Sequence, residues 1–191
     1  MTGVGCHLKS YDFIHLPMKN YNFADRLHAL YEKAATAYTA GQRGADTYFS
    51  NDDLAFLKAN GLSAQNLYDY AEDDSGGNGP GWDRALAIEM VRRDYFRNIQ
   101  GGKPSETTID ETRLPAKTAA VQGIEWLPRI IPKAKAKLRG ELPSSLMYSC
   151  GGDRRFFQQH DIHPAEFLSA VWRHEHDDAA IVDWVVRNKS S

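Results

Sequence analysis

Tyr48-Phe49-Ser50-Asn51-Asp52-Asp53-Leu54-Ala55-Phe56-Leu57 and, one hundred positions later, Tyr148-Ser149-Cys150-Gly151-Gly152-Asp153-Arg154-Arg155-Phe156-Phe157 are the stretches on which the fold turns. Set side by side, Tyr48 falls on Tyr148, Ser50 on Cys150, Asp53 on Asp153, Phe56 on Phe156 and Leu57 on Phe157. The match runs on without a gap, placing Leu62 on Ile162, Ala64 on Pro164 and Leu67 on Phe167. Upstream, at a displacement of 103, Phe23, Arg26 and Leu27 meet Trp126, Arg129 and Ile130. Downstream, at 94, Glu89-Met90-Val91 meets Asp183-Trp184-Val185, with Arg93 on Arg187. Three matches in one order, with a shrinking displacement, are what loop trimming around a copied set of helices produces. The expectation is a duplicated helical unit.

Helical spacing recurs along the chain. Phe23, Leu27, Leu30, Tyr31 and Tyr38 form one stripe, and Ala85, Ile88, Val91, Tyr95 and Ile99 another, with Asp83 as the expected N-cap of the second. Strand-like alternation is scarce. Ser50-Asn51-Asp52-Asp53 and Gly61-Leu62-Ser63 each precede short apolar runs in the manner of helix caps, and Asp161-Ile162-His163-Pro164 does so in the second half. Two breaks, Glu72 through Gly81 and Gln100 through Ser105, read as loops because glycine and proline punctuate them. The expected fold is all-α: two homologous small helical units packed as one globule with pseudo-two-fold symmetry. Its divisions are an N-terminal extension (1–22), a first repeat (23–100), a linker (101–112) and a second repeat (113–191).

Composition narrows the function. The chain has 191 residues, 23 basic against 25 acidic side chains, and 42% hydrophobic residues. That apolar content can fill a core, and near-neutral charge argues against a nucleic-acid partner. No apolar run approaches the roughly 18 residues of a spanning helix, so no membrane partner is expected. The first residues lack a secretory apolar core, and the two cysteines, Cys6 and Cys150, read as reduced thiols, which points to the cytoplasm. Residues 1–22 could drape over the globule or exchange between the subunits of a homodimer.

Gly123 through Gly140, with Leu127-Pro128-Arg129 near its start, leads into Tyr148-Ser149-Cys150, Asp153, Phe156-Phe157 and Asp161-Ile162-His163-Pro164. This succession resembles a bacterial family catalogued only as a domain of unknown function. The resemblance covers about Arg113 to Val186 and, through the internal repeat, extends faintly to the first half. The chain departs from the family where Cys150-Gly151-Gly152 stands in place of Cys-Pro. The resemblance implies a compact helical fold and carries no established activity.

Cys150 precedes a helix start, where free N–H groups and the helix dipole favour a thiolate. Asp153, His160 and Tyr148 are candidate catalytic partners for that thiol. Arg154, Arg155, Gly151 and Gly152 form a candidate anion seat, and Tyr48 and Ser50 could complete it from the facing repeat. Against this stands an inert, buried cysteine and a glycine turn with solvated arginines. His174-Glu175-His176 reads as a polar loop, and neither a metal nor another cofactor is assigned. Asp69, Glu72, Asp73 and Asp74 read as a solvated helix end, and Lys133, Lys135, Lys137 and Arg139 as a solvated helix face. Two functions remain: a hydrolase or lyase acting on a small anionic or aromatic molecule between the repeats near Cys150, or a non-catalytic ligand-binding or protein-interaction module.

Overall fold

A computed structural model describes residues 20–77 and 79–189. The fold is all-α. Four helices, α1 (Phe23–Thr39), α2 (Asn51–Ala59), α3 (Ala64–Ser75) and α4 (Trp82–Asn98), precede the linker. Four more follow it: α5 (Leu127–Arg139), α6 (Gly151–Gln159), α7 (Pro164–Arg173) and α8 (Asp178–Lys189). The exception to helix is a two-residue antiparallel pair, β1 (Ala120–Val121) with β2 (Ile124–Glu125), which feeds α5. No helix among the described residues is long and apolar enough to cross a membrane.

The caps explain where the short helices begin. Ser50 accepts from the Asp53 N–H while Asp53 reaches back to the Ser50 N–H, and Ser63 and Asn66 repeat the arrangement at the start of α3. At α7, His163 is the N-cap and Pro164 occupies the first turn, where its missing N–H leaves no bond unmade. Two boundaries differ from expectation. Gly81, not Asp83, caps α4, and Asp83 sits in the first turn where its charge still suits the dipole. α3 runs to Ser75, so Glu72, Asp73 and Asp74 are helical and not part of a loop. Buried Leu27, Leu30, Tyr31 and Ala34 of α1 stand 100 positions ahead of buried Leu127, Ile130, Ile131 and Ala134 of α5.

Two apolar clusters form the core. One gathers Phe23, Leu27, Tyr31, Tyr48, Leu57, Leu67 and Tyr70; the other gathers Leu127, Ile130, Tyr148, Phe157, Phe167 and Val185. Helix α4 serves both. Its Ala85 packs in the first cluster, while Ile88 and Tyr95 pack in the second, and the helix lies against α1, α5 and α7. The surfaces on either side of α4 therefore meet along a seam.

Candidate functional site

Helix α5 carries the largest departure from expectation. Lys133 and Lys137 are not on a solvated face but are buried, at 2% and 5% exposure. Burying an ammonium is costly unless it is paired, and both are paired. Lys133 Nζ donates to Asp153 Oδ2 at 2.7 Å, and Lys137 Nζ to Glu89 Oε1 at 2.6 Å. In the first four helices Lys33 Nζ meets Asp53 Oδ2, also at 2.7 Å, on an exposed face.

Around Cys150 the structure gives most of the candidate groups other work. Cys150 is the N-cap residue of α6 and half-buried; its side chain caps nothing, and its Sγ accepts from Lys133 Nζ at 3.2 Å. Asp153 is fully buried. Besides Lys133 it accepts from the Trp126 indole N–H at 2.9 Å and the Ser149 N–H at 2.9 Å. Trp126 adopts a left-handed conformation (φ 69°) to deliver that indole, and Gly152 makes room for the ring: a Cβ there would lie 2.5 Å from it. Tyr148 is buried with its hydroxyl donating to the Pro164 carbonyl at 2.8 Å, and burial holds its phenol well above the ordinary range. His160 ends α6, its ring 4.7 Å from that of Phe156.

Arg154 joins the two sets of helices, donating to Asp73 Oδ2 at 2.5 Å and to the Ser149 carbonyl at 2.6 Å. Arg155 and Gly151 are exposed and Gly152 is half-buried. Tyr48 and Ser50 do not join this group. Tyr48 is buried in the first core with its hydroxyl on the Gln42 carbonyl, and Ser50 is the exposed cap of α2.

In the acidic stretch of α3, Glu72 is exposed, while Asp69, Asp73 and Asp74 are partly buried and engaged. Asp73 holds Arg154, and Asp74 accepts from the Tyr31 hydroxyl. Asp69 accepts from Gln65 at 2.6 Å, and burial pushes its carboxyl up to about 6. In the histidine stretch, Glu175 takes Arg139 at 2.6 Å and the Tyr95 hydroxyl at 3.0 Å.

Sequence reasoning missed a cleft of about 170 Å³ on the seam. Lys58, Ser63 and Asn66 from the α2–α3 turn form one wall, and Arg92 of α4 forms the floor. Ser105 of the linker and Lys137, Gly140 and Leu142 from the end of α5 close it. Arg92 is buried, at 3% exposure; its Nη1 donates to Gln100 Oε1 at 2.9 Å, and no carboxylate among the described residues forms an ion pair with it. Burial pushes its guanidinium down to about 10, so it is charged at neutral pH. Gly140 permits this placement, because a Cβ there would lie 2.6 Å from Arg92 Nη2. Deeper in, Glu89 Oε1 also accepts from the Tyr70 hydroxyl at 2.7 Å, and Glu89 Oε2 is buried without a hydrogen-bond partner among the described residues. A larger hollow, about 450 Å³, lies between the α3–α4 loop and the α6–α7 turn. Its arginines are engaged, Arg84 by the Pro80 carbonyl and Arg154 by Asp73.

One signal for the cleft existed in the sequence: Lys137 lies seven residues after Ile130, on the apolar face of α5. The same count places Arg92, four residues after Ile88 and three before Tyr95, and Glu89, four after Ala85, on the apolar face of α4. No curated protein matches the chain, and no solved structure does. Residues 112–191, the stretch that holds α5 to α8 and Cys150, match a family described as a domain of unknown function (DUF5069).

Proposed function

We propose that this chain is a non-catalytic helical protein that binds a small molecule in the seam between its first and last four helices. One observation carries the reading: the 170 Å³ cleft takes its walls from both sides of the seam and is lined by a buried guanidinium that no carboxylate among the described residues pairs. Ligand sites combine a concavity with a few convergent polar groups. The seam reading draws on a duplicated helical unit with pseudo-two-fold symmetry. Helices α2 and α6, and α3 and α7, begin 100 residues apart, and the Lys33–Asp53 and Lys133–Asp153 pairs keep the same displacement.

Thermal melting of the full chain against a panel of small phosphates, carboxylates, amines and aromatic compounds tests this. At least one class raises the melting temperature in the wild type and in Cys150→Ser, and fails to do so in Ser105→Trp, whose indole fills the cleft. Retention in Ser105→Trp with loss in Cys150→Ser would overturn the seam reading.

A second reading, a hydrolase or lyase using the Cys150 thiol, has the 3.2 Å contact from Lys133 in its favour, since an adjacent ammonium supports a sulfur nucleophile. It requires Cys150 to be alkylated by iodoacetamide faster than a model thiol at neutral pH. A slower rate removes that reading.

A further inference from the structure

We infer that the seam cleft is a seat for a phosphoryl group, carried by inorganic phosphate or by a small phosphate monoester. The inference rests on the ligand-binding reading above and names the class of its ligand.

Arg92 sets the requirement. A guanidinium has five donors in a rigid fork and stays charged at neutral pH. In this structure one donor is satisfied by Gln100, while Nε and Nη2 have no acceptor among the described residues. Glu89 and Glu141 act on Arg92 from a distance without reaching it. Glu89 is tied to Lys137 and Tyr70, and Glu141 accepts from Ser105 and Thr107. The Arg92 guanidinium lies over the Phe96 ring, 5.3 Å from its centroid, and with no carboxylate in ion-pair contact it faces an open cleft. An anion entering the cleft supplies what the protein does not.

The other walls indicate which anion. Lys137 has used one of its three N–H donors on Glu89. Lys58 stands exposed at the mouth, and no described contact engages its ammonium. Ser63 and Asn66, the capping pair of α3, put the positive end of a 12-residue helix on the same side. Arg92 and Lys58, with Lys137 shared with Glu89, offer donors from three helices, which suit the three outer oxygens of a tetrahedral group better than the two of a flat carboxylate. None of the lining residues is aromatic, so a planar apolar ligand would find no ring to stack on. The volume, about 170 Å³, holds a phosphate with a tail of a few carbons.

Titration calorimetry of the full chain with inorganic phosphate, glycerol phosphate and succinate tests the assignment. Phosphate, the ester or both bind, and affinity falls about tenfold or more in Arg92→Met, as expected for losing a charge-assisted pair. It falls several-fold in Lys58→Gln, whose exposed position leaves folding intact if Arg92→Met fails to fold. Binding of the ester alone assigns the seat to an ester, and binding of phosphate alone assigns it to the free ion; either supports the inference. Preference for succinate, or phosphate binding unchanged in both variants, overturns it. If no anion binds, the phosphoryl assignment falls, while a neutral or cationic ligand lost in Ser105→Trp would preserve the seam reading.

Discussion

Lys133 keeps an ammonium at 3% side-chain exposure because Asp153, at 0%, answers it, and Asp153 in turn is held by two neutral donors, Trp126 and the Ser149 amide. Removing one member of such a pair costs more than removing both, since it leaves a charge buried alone. Asp153→Ala should therefore lower stability by about 3–5 kcal/mol in urea unfolding, and Lys133→Met/Asp153→Leu should recover most of the loss. A double variant as unstable as Asp153→Ala would contradict the pairing. Asp69 offers a pH test. Its folded-state carboxyl is pushed up to about 6, above the ordinary 3.8, so the folded chain keeps a proton that the unfolded chain releases between those values. Stability thus falls as pH rises through that window, and ionised Asp69 is a standing cost above it. Asp69→Asn should add on the order of 2 kcal/mol at pH 7.5 and almost nothing at pH 4, read from melts at the two values. At this scale the sequence was least legible. Alternating lysine and alanine looked like a solvated surface, yet counting three and seven residues from Ile130 puts Lys133 and Lys137 on the buried face. Their partners, Asp153 and Glu89, lie 20 and 48 residues away, beyond any local pattern.

Among the elements, the short helices were the readable part, because caps are local chemistry. Ser50 and Ser63 each stand three residues before a side chain that returns the bond, and both helices start where that pattern places them. Ser63→Ala should cost about 1 kcal/mol in thermal denaturation, since two N–H groups at the start of α3 lose their partners or their positioning. α6 departs from the pattern. Cys150 holds the N-cap place without capping, and Asp153 bonds the Ser149 amide one residue earlier, drawn inward by Lys133 and Trp126. The glycines after Cys150 read as a flexible or ligand-approaching turn; in the structure Gly152 is a packing requirement beneath Trp126. Gly152→Ala should destabilise by about 1–3 kcal/mol, whereas Gly151→Ala, 3.7 Å from its nearest neighbour, should fall well below that. Equal losses at the two positions would show that the indole is not what Gly152 accommodates.

Across the whole molecule, α4 and the seam organise the protein. α4 gives Ala85 to one core and Ile88 and Tyr95 to the other, so neither cluster is complete without it. The charged links across the seam join residues 48 to 81 positions apart: Lys137 to Glu89, Tyr95 to Glu175, Arg154 to Asp73. Helix order was legible because periodicity and caps are local, whereas the partners across a polar seam are set by tertiary contact between distant positions. The candidate site was therefore sought at Cys150, where local motifs are dense, while the open guanidinium lies on α4. Backbone amide and arginine side-chain NMR of the full chain, titrated with inorganic phosphate, separates the two locations directly. Shifts confined to Gly61–Asn66, Arg92 including its Nε–H, Ser105 and Gly140–Leu142 are the predicted result. Shifts centred on Ser149–Arg155 with Arg92 unmoved, or no shifts at millimolar phosphate, would contradict it.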